Sequence, residues 1–319
     1  MYARFNWLRG KAKLRADTRF TNVELESQIV CPICASRDAR VVDYPTRFRD
    51  CPESKQCVAC GCWYMSKVLT SENLQGLGKH GGEMEFGANQ SELQNQQAFD
   101  KMKRRTEQYY KFLRPHIENR QKYLEFTSQY GGGVHYMLEK GLDAYGLDAH
   151  CKSSEFSKRK LGDRILFGDV TNYEASEKYD IISLPRVLNH YTNPQQVLKI
   201  AKKLLADDGI IFIENLDALH AVRRKGIARN LNYDHPINFS PVTLQKLLVL
   251  EGFQTIALHT DESDKGQFES LNHMHIIAKL CPTDLYMNAD RQTQKEDSIE
   301  SISAHYERRR LFGDPVFYD

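Results

Sequence analysis

The sequence predicts an α/β protein: a mainly parallel sheet with a terminal antiparallel strand, preceded by a small cysteine-rich domain. Three observations carry this expectation. From about residue 114 to Leu280, strand-like and helix-like segments alternate, the pattern of a parallel sheet crossed by helices. At the end of that region QTIALHT and HMHIIAKL are successive strands with no helix between them, so the sheet closes on a hairpin. Ahead of it stand two close cysteine pairs, CPIC (Cys31, Cys34) and CVAC (Cys57, Cys60).

Residues 1–26 form a basic arm without the apolar stretch of a secretory signal. Residues 27–69 hold the cysteine pairs and show little helical periodicity. Two residues between thiols let one tight turn present both sulfurs to a single ion. Two such turns complete a tetrahedral four-thiolate site, the arrangement preferred by structural zinc, and a closed site leaves no position for catalysis. Gly61, directly after the second pair, relaxes its turn. Cys51 and Cys62 keep the ligand choice open, since Cys62 can replace Cys60. So small a domain buries little, and metal binding contributes much of its folding free energy.

Residues 70–113 read as a polar, glycine-dotted linker to about Gln97, then a charged helix from about Gln97 to Leu113. Phe99, Met102, Tyr109 and Phe112 give that helix a partial apolar face, while KMKRR from Lys101 is expected on its solvated side. Residues 114–282 form the α/β domain, and residues 283–319 a polar tail with a helix from about Thr293 to Arg310, including the basic run at Arg308.

Within the α/β domain a strand ends at Glu125, a turn runs through Gly131, and a helix starts near Gly132. Helix N-termini favour anionic ligand groups. The next strand, DAYGLD, ends at Asp148, where a carboxylate can accept from both hydroxyls of a ribose. A third strand, in RILFGDV, leads to Asp169, placed to accept from an adenine amino group. KYDIISLPRVLNHYTNP gives a fourth strand and a helical element containing His190. In TNPQQVLKIAKKLLADDG, Asn193 caps a helix entered at Pro194 and ended by Gly209; SPVTLQKLLVLEGF repeats the device with Ser240, Pro241 and Gly252.

A net charge of +2 gives no electrostatic footprint for nucleic acid or membrane. No apolar run approaches the roughly 20 residues of a spanning helix. The expectation is a cytoplasmic protein whose cysteines bind metal instead of forming disulfides.

Taken in order, the acid–turn–glycine segment from Glu125 to Gly131, GLD at Asp148, GD at Asp169, YDIISLPRVLNH, LLADDG and EGF resemble the class I S-adenosylmethionine-dependent methyltransferases. The likeness is greatest to the ubiquinone-biosynthesis and sugar methyltransferase-like subgroup, and members of the wider group carry an N-terminal zinc-binding module. It extends from Cys31 to about Lys279. The resemblance implies a Rossmann-like methyltransferase sheet, S-adenosylmethionine as cofactor, a structural zinc, and methyl transfer to a small-molecule acceptor such as a sugar or other biosynthetic intermediate. By position, Glu125, Thr127, Gln129 and Gly131 wrap the methionine part, Asp148 holds the ribose, Asp169 the adenine, and Leu184 lies beside the cofactor. Thr127 and Gln129 stand where the family has glycine, and Asn189 where it commonly has glutamate. These departures keep a catalytically inactive binding or scaffold protein open as the alternative. A nicotinamide-dependent oxidoreductase shares the strand–turn–helix and ribose acid, but the GD segment and terminal hairpin weigh against it. His190 and His235 are the candidate general bases, because an imidazole with an ordinary pKa near 6.5 suits that task; Tyr191 and Glu214 stand behind them.

Overall fold

The computed structural model describes residues 25–42, 53–69, 91–149, 152–218, 235–260 and 273–281. The basic arm, Cys51, most of the glycine-dotted linker and the C-terminal tail with its expected helix lie outside the described residues.

Five short strands open the chain: β1 (Leu25–Ser27), β2 (Ala39–Val42), β3 (Ser54–Cys57), β4 (Trp63–Met65) and β5 (Lys67–Leu69). β1 pairs with β5, and β2, β3 and β4 form an antiparallel meander. Helix α1 (Glu92–Leu113) follows, beginning five residues earlier than its apolar face suggests. Ser91 is the reason. Its hydroxyl accepts from Gln94 N at 3.3 Å, and Gln94 Oε1 accepts from Ser91 N at 2.8 Å. That capping box makes a helix start out of residues whose polarity reads as linker.

Next come β6 (Lys122–Phe126), α2 (Gly132–Glu139), β7 (Asp143–Asp148), α3 (Lys152–Leu161), β8 (Ile165–Phe167) and β9 (Tyr179–Pro185). The remaining elements are α4 (Pro194–Leu204), β10 (Leu205–Leu216), β11 (Ile237–Asn238), α5 (Pro241–Leu250), β12 (Phe253–Thr260) and β13 (His273–Leu280). Seven strands form one sheet in the order β12-β13-β10-β9-β6-β7-β8. The pairs from β10 through β8 are parallel, while β13 runs antiparallel to both β10 and β12. The expected closing hairpin is therefore present, with its second strand inserted inside its first.

Asn193 and Ser240 cap their helices as their sequence contexts predict, and Gly252 takes the left-handed φ of +82° that stops α5. Gly209 does not end α4. Leu205 already pairs with Tyr179, and the ladder then slips until Ile210, so Gly209 sits in the irregular start of β10. Burying Leu205 on the sheet ends the helix four residues earlier than expected.

The sheet is packed on both faces. Leu124, Phe126, Ile182 and Leu184 meet Val197 and Leu198 of α4 and Leu244 and Leu247 of α5. Tyr123, Ile181, Phe212 and Ile277 meet Tyr109 and Leu113 of α1 and Val134 and Met137 of α2. Each fully buried large side chain contributes about 1.5–3 kcal/mol. The cysteine-rich segment shares the core of the sheet: Cys31, Ile33, Cys57, Cys62 and Tyr64 belong to the first cluster. Its meander also gains a fourth strand from far along the chain, because β11 pairs with β4.

Candidate active site

The segment between β6 and α2 makes a tight turn in which Thr127 (φ 52°), Gln129 (φ 46°) and Gly131 (φ 77°) are all left-handed. The chain thus places two side chains on a backbone conformation that favours glycine. A non-glycine residue in that region costs about 1–2 kcal/mol, and more readily so when β-branched like threonine. Internal bonds hold the turn: Gly131 N donates to Ser128 O at 2.8 Å, Ser128 N to Leu147 O at 3.3 Å, and Gln129 N to Asp148 Oδ2. Thr127 does not reach outward; its hydroxyl donates to Phe126 O at 2.7 Å. Thr127→Gly is expected to raise stability by about 0.5–1 kcal/mol, the relieved strain exceeding glycine's added unfolded-state entropy. Urea denaturation checks this; a loss of stability would show that the hydroxyl bond outweighs the strain.

Two buried carboxylates flank the turn. Glu125 points beneath it, where Tyr123 and Tyr109 hydroxyls donate to Oε2 at 2.8 and 3.3 Å. A Cβ on Gly133 would lie 2.3 Å from the same oxygen, so glycine lets the first turn of α2 close over the acid. Burial pushes Glu125 up to about 7, even with both phenols donating. Asp148, at the end of β7, is likewise pushed up to about 7 by burial, against the opposing pull of the Gln129 and Ala149 amides. Asp169 is half-buried and accepts from Thr171 N and Oγ1, both at 2.8 Å. The Tyr191 phenol lies close to both aspartates: burial, then the charges of Asp169 and Asp148, push it well up. Asp148, Asp169 and Tyr191 thus border one region beyond the carboxyl ends of β7, β8 and β9. Leu184, one residue before the end of β9, is fully buried in the core beneath.

This donor set fits S-adenosylmethionine. Asp148 is buried and accepts from the Gln129 and Ala149 amides, and among the described residues no side-chain hydroxyl bonds to it, a role that a ribose could fill. Gly131 caps α2 with no side-chain hydrogen bond of its own.

His190 and His235 meet at the neighbouring edge. His190 ends the short 3₁₀ turn Leu188–His190 that follows β9, and it is exposed. His235 stands half-buried just before β11, with the two ring centroids 4.7 Å apart at 58°. β11 is the cause of this approach. Met65 N donates to Pro236 O at 2.9 Å, and Ile237 and Asn238 pair with Tyr64 and Trp63. Asn189 is buried, and its Oδ1 has no hydrogen-bond partner among the described residues.

A third cluster escapes sequence reasoning. Glu214 of β10 is fully buried between Arg105 Nε at 3.3 Å and Arg186 Nε at 3.2 Å. Burial alone would raise its pKa, but the two guanidiniums, helped by His273 and His275, outweigh it and hold Glu214 near 2. A carboxylate so firmly ionised makes a poor proton acceptor, which removes Glu214 from the candidate bases. His273 is pushed down to about 3, by burial first and then by Arg186, and is neutral. Of the run KMKRR, Lys101 and Arg104 are solvated as expected, whereas Arg105 turns inward. The available signal is spacing: Arg105 lies four residues before Tyr109 and eight before Leu113, on the buried stripe of α1.

Cys31, Cys34, Cys57 and Cys60 converge so that all four sulfurs lie within 4.8 Å of one another. Cys31 and Cys60 sulfurs are 3.5 Å apart, and those of Cys34 and Cys57 3.6 Å. A tetrahedron of sulfurs around zinc has edges of about 3.8 Å. Ala35 N donates to Cys31 O and Gly61 N to Cys57 O, at 3.0 and 2.9 Å, so the two knuckles repeat one design. Ala35 and Gly61 both take left-handed φ, 57° and 76°. Cys62 is buried beside this group but outside it, its thiol directed to Trp63 O.

The sequence matches the family described as "Methyltransferase domain" over residues 97–258, just over half of the chain. It is 30% identical over 70 residues to (S)-coclaurine N-methyltransferase of Papaver somniferum, covering 22% of this chain and 19% of that protein. It is 40% identical over 42 residues to ubiquinone biosynthesis O-methyltransferase of Glaesserella parasuis serovar 5, covering 13% of this chain and 18% of that protein. The chain therefore spans under a fifth of either relative's length. Magnesium protoporphyrin IX methyltransferase from Synechocystis PCC 6803, solved with bound SAH, has a TM-score of 0.47 at 12% identity, covering 66% of this chain and 99% of that one. A glycopeptide N-methyltransferase complexed with S-adenosylmethionine has a TM-score of 0.46 at 12% identity, covering 55% and 93%. With the family match running from α1 into β12 and including the turn just described, the chain belongs to the class I S-adenosylmethionine-dependent methyltransferase family.

Proposed function

We propose that this protein transfers a methyl group from S-adenosylmethionine to a small-molecule acceptor, with a structural zinc in its N-terminal module. One observation carries the reading: the Tyr191 phenol feels the charges of Asp169 and Asp148, and His190, the residue before it, has its imidazole 4.7 Å from that of His235. In this reading the turn of Glu125, Thr127, Gln129 and Gly131 encloses the methionine part of the cofactor, Asp148 holds the ribose and Asp169 the adenine. Leu184 supports the floor. Bound there, the cofactor supplies an electrophilic methyl on a sulfonium.

The protein's own contribution is alignment and, for an acceptor whose proton must leave, a base. Orienting the reacting groups is worth roughly 7–11 kcal/mol in the best cases. Either histidine can take the proton at a ring nitrogen, and its partner can accept it onward. A small-molecule acceptor, such as a biosynthetic intermediate, is supported by the names of the two curated relatives, (S)-coclaurine N-methyltransferase and ubiquinone biosynthesis O-methyltransferase, over the short stretches they share. The four sulfurs at tetrahedral separations support zinc at Cys31, Cys34, Cys57 and Cys60. We assign residues 27–69 to the metal module and residues 114–282 to the methyltransferase domain, joined by residues 70–113, with residues 1–26 and 283–319 as arm and tail.

Isothermal calorimetry of the zinc-loaded protein tests this, with S-adenosylhomocysteine expected to bind one per chain. Absence of binding would sink the proposal. A second reading, a methyltransferase-fold protein without turnover, rests on Thr127 and Gln129 in the left-handed positions. Methyl transfer to any acceptor excludes it.

A further inference from the structure

We infer that the cysteine module is part of the catalytic half of the site: its bound metal clamps together the two segments that carry His190 and His235. The inference rests on the functional reading above but concerns how the acceptor side is assembled.

The two histidines are supported from two different knuckles. On one side, Gln195 lies one residue inside α4 and five after His190; its Nε2 donates to Pro32 O and, at 3.3 Å, to Ile33 O. Those carbonyls belong to the CPIC knuckle. On the other side, the CVAC knuckle ends β3 and passes directly into β4, and β4 carries β11 through Met65 N to Pro236 O and the Tyr64 and Trp63 pairings. His235 is the residue preceding Pro236.

One path from one imidazole to the other runs through Gln195, the first knuckle, the sulfur cluster, the second knuckle, β4 and β11; β11 also packs directly on the Leu188–His190 turn, and Ala218 N donates to Phe239 O at 2.8 Å just beyond it. Its central link is the close approach of Cys31 to Cys60 and Cys34 to Cys57, at 3.5 and 3.6 Å, set beside the backbone pairing of Ala39 with Cys57 and of Val58 N with Asp38 O. Four thiols that near one another form a stable join only when a cation neutralises and orders them. The rest of the path is ordinary protein: backbone pairing, one amide side chain and shared apolar contacts. β11 is two residues long, and an isolated pair of so few residues does not persist without a structured partner.

The cofactor half is built differently. The turn and its two acids hang on β6, β7 and α2, inside the parallel sheet, and among the described residues their hydrogen bonds stay within that part of the fold and α1. Removing the metal is thus expected to release His235 from His190 while leaving cofactor binding intact. Trp63, Tyr64 and Met65 act as positioning residues for a histidine 170 or so places away.

The test compares the full zinc-loaded chain with the same chain stripped by a chelator, using hydrogen exchange with mass spectrometry, histidine-ring NMR and calorimetry with S-adenosylhomocysteine. Expected on stripping is a loss of protection of roughly tenfold or more in peptides covering residues 63–65 and 235–239 together, with residues 122–131 and 143–148 unchanged. The ring-to-ring contact of His190 with His235 disappears, and affinity for S-adenosylhomocysteine stays within about twofold, which no global unfolding would allow. Retained protection at 235–239, or a persistent histidine contact in stripped protein, overturns the inference. So does a loss of cofactor binding on stripping alone. Failure of the zinc-loaded protein to bind S-adenosylhomocysteine instead overturns the functional reading, and the exchange data still decide the clamp. Gln195→Ala, which spares every cysteine, is expected to weaken the histidine contact with metal still bound; an unchanged contact in that variant removes the first knuckle from the path.

Discussion

Asp148→Ala is expected to weaken S-adenosylhomocysteine binding about 100-fold or more while leaving the folded protein no less stable at pH 8. The affinity loss follows from the proposed ribose contacts. Hydrogen bonds to a charged acceptor contribute about 1.5–3 kcal/mol each, and two of them exceed the roughly 2.8 kcal/mol that separates hundredfold affinities. Stability behaves differently because burial raises this acid from 3.8 to about 7. A carboxylate whose folded pKa is raised contributes stability that is present below its unfolded pKa and lost as pH rises through the folded one. At pH 8 that loss is complete, so removing the acid removes a cost. Linkage adds a pH signature: hydroxyl donors favour the ionised form, so wild-type affinity rises as pH climbs through 7. Asp148→Asn flattens that rise. Calorimetry across pH 6–8 reads both effects, and a change in affinity under about threefold for Asp148→Ala would place the ribose elsewhere.

Arg105→Met is expected to destabilise the protein by about 3–5 kcal/mol, the largest loss we foresee from a single charged side chain. Glu214 is fully buried, and two guanidiniums hold its charge there. Removing one partner of a buried pair leaves a charge without enough compensation, which costs far more than the pair contributes when intact. Arg186 remains as the second partner and keeps the loss toward the lower end. The pH dependence has a definite sign. Glu214 is depressed from 4.5 to about 2, so its stabilising contribution is present above pH 4.5 and lost as pH falls from there toward 2. Wild type should lose about 3 kcal/mol through this limb, and the variant markedly less. In a Glu214→Gln background the same Arg105→Met change should cost little. Urea melts at pH 7 and pH 3.5 make the comparison. A cost under about 1 kcal/mol at pH 7 would mean that Arg105 behaves as a surface charge.

What could be read from the sequence follows the range over which each feature is determined. The alternation of strands and helices, the closing hairpin and the caps at Asn193 and Ser240 depend on neighbours within a few residues, and periodicity exposes them. The four thiols could be named because two close pairs mark one cluster, although only the fold separates Cys60 from Cys62. The start of α1 was hidden because Ser91 and Gln94 make a cap from residues that compose a loop equally well. Gly209 misleads because a strand's pairing, set by Tyr179 across the sheet, overrides a local stop signal. Arg105 with Glu214, and His190 with His235, join residues remote in sequence, and no local pattern encodes such partners. The backbone at Thr127 and Gln129 lay between these cases: position marked the turn, while the side chains argued against the left-handed conformation it adopts.

The pairing of β4 with β11 also bears on how the chain is made. The cysteines leave the ribosome early, yet the meander they organise keeps one raw strand edge until residues 237 and 238 have been synthesised. Until then β4 offers unpaired amides and carbonyls to any extended segment, the exposure that drives sheet-to-sheet aggregation. Closing that edge waits for β11, which follows every parallel strand of the large sheet in the chain, so the cysteine meander is completed only after strands that come long after it.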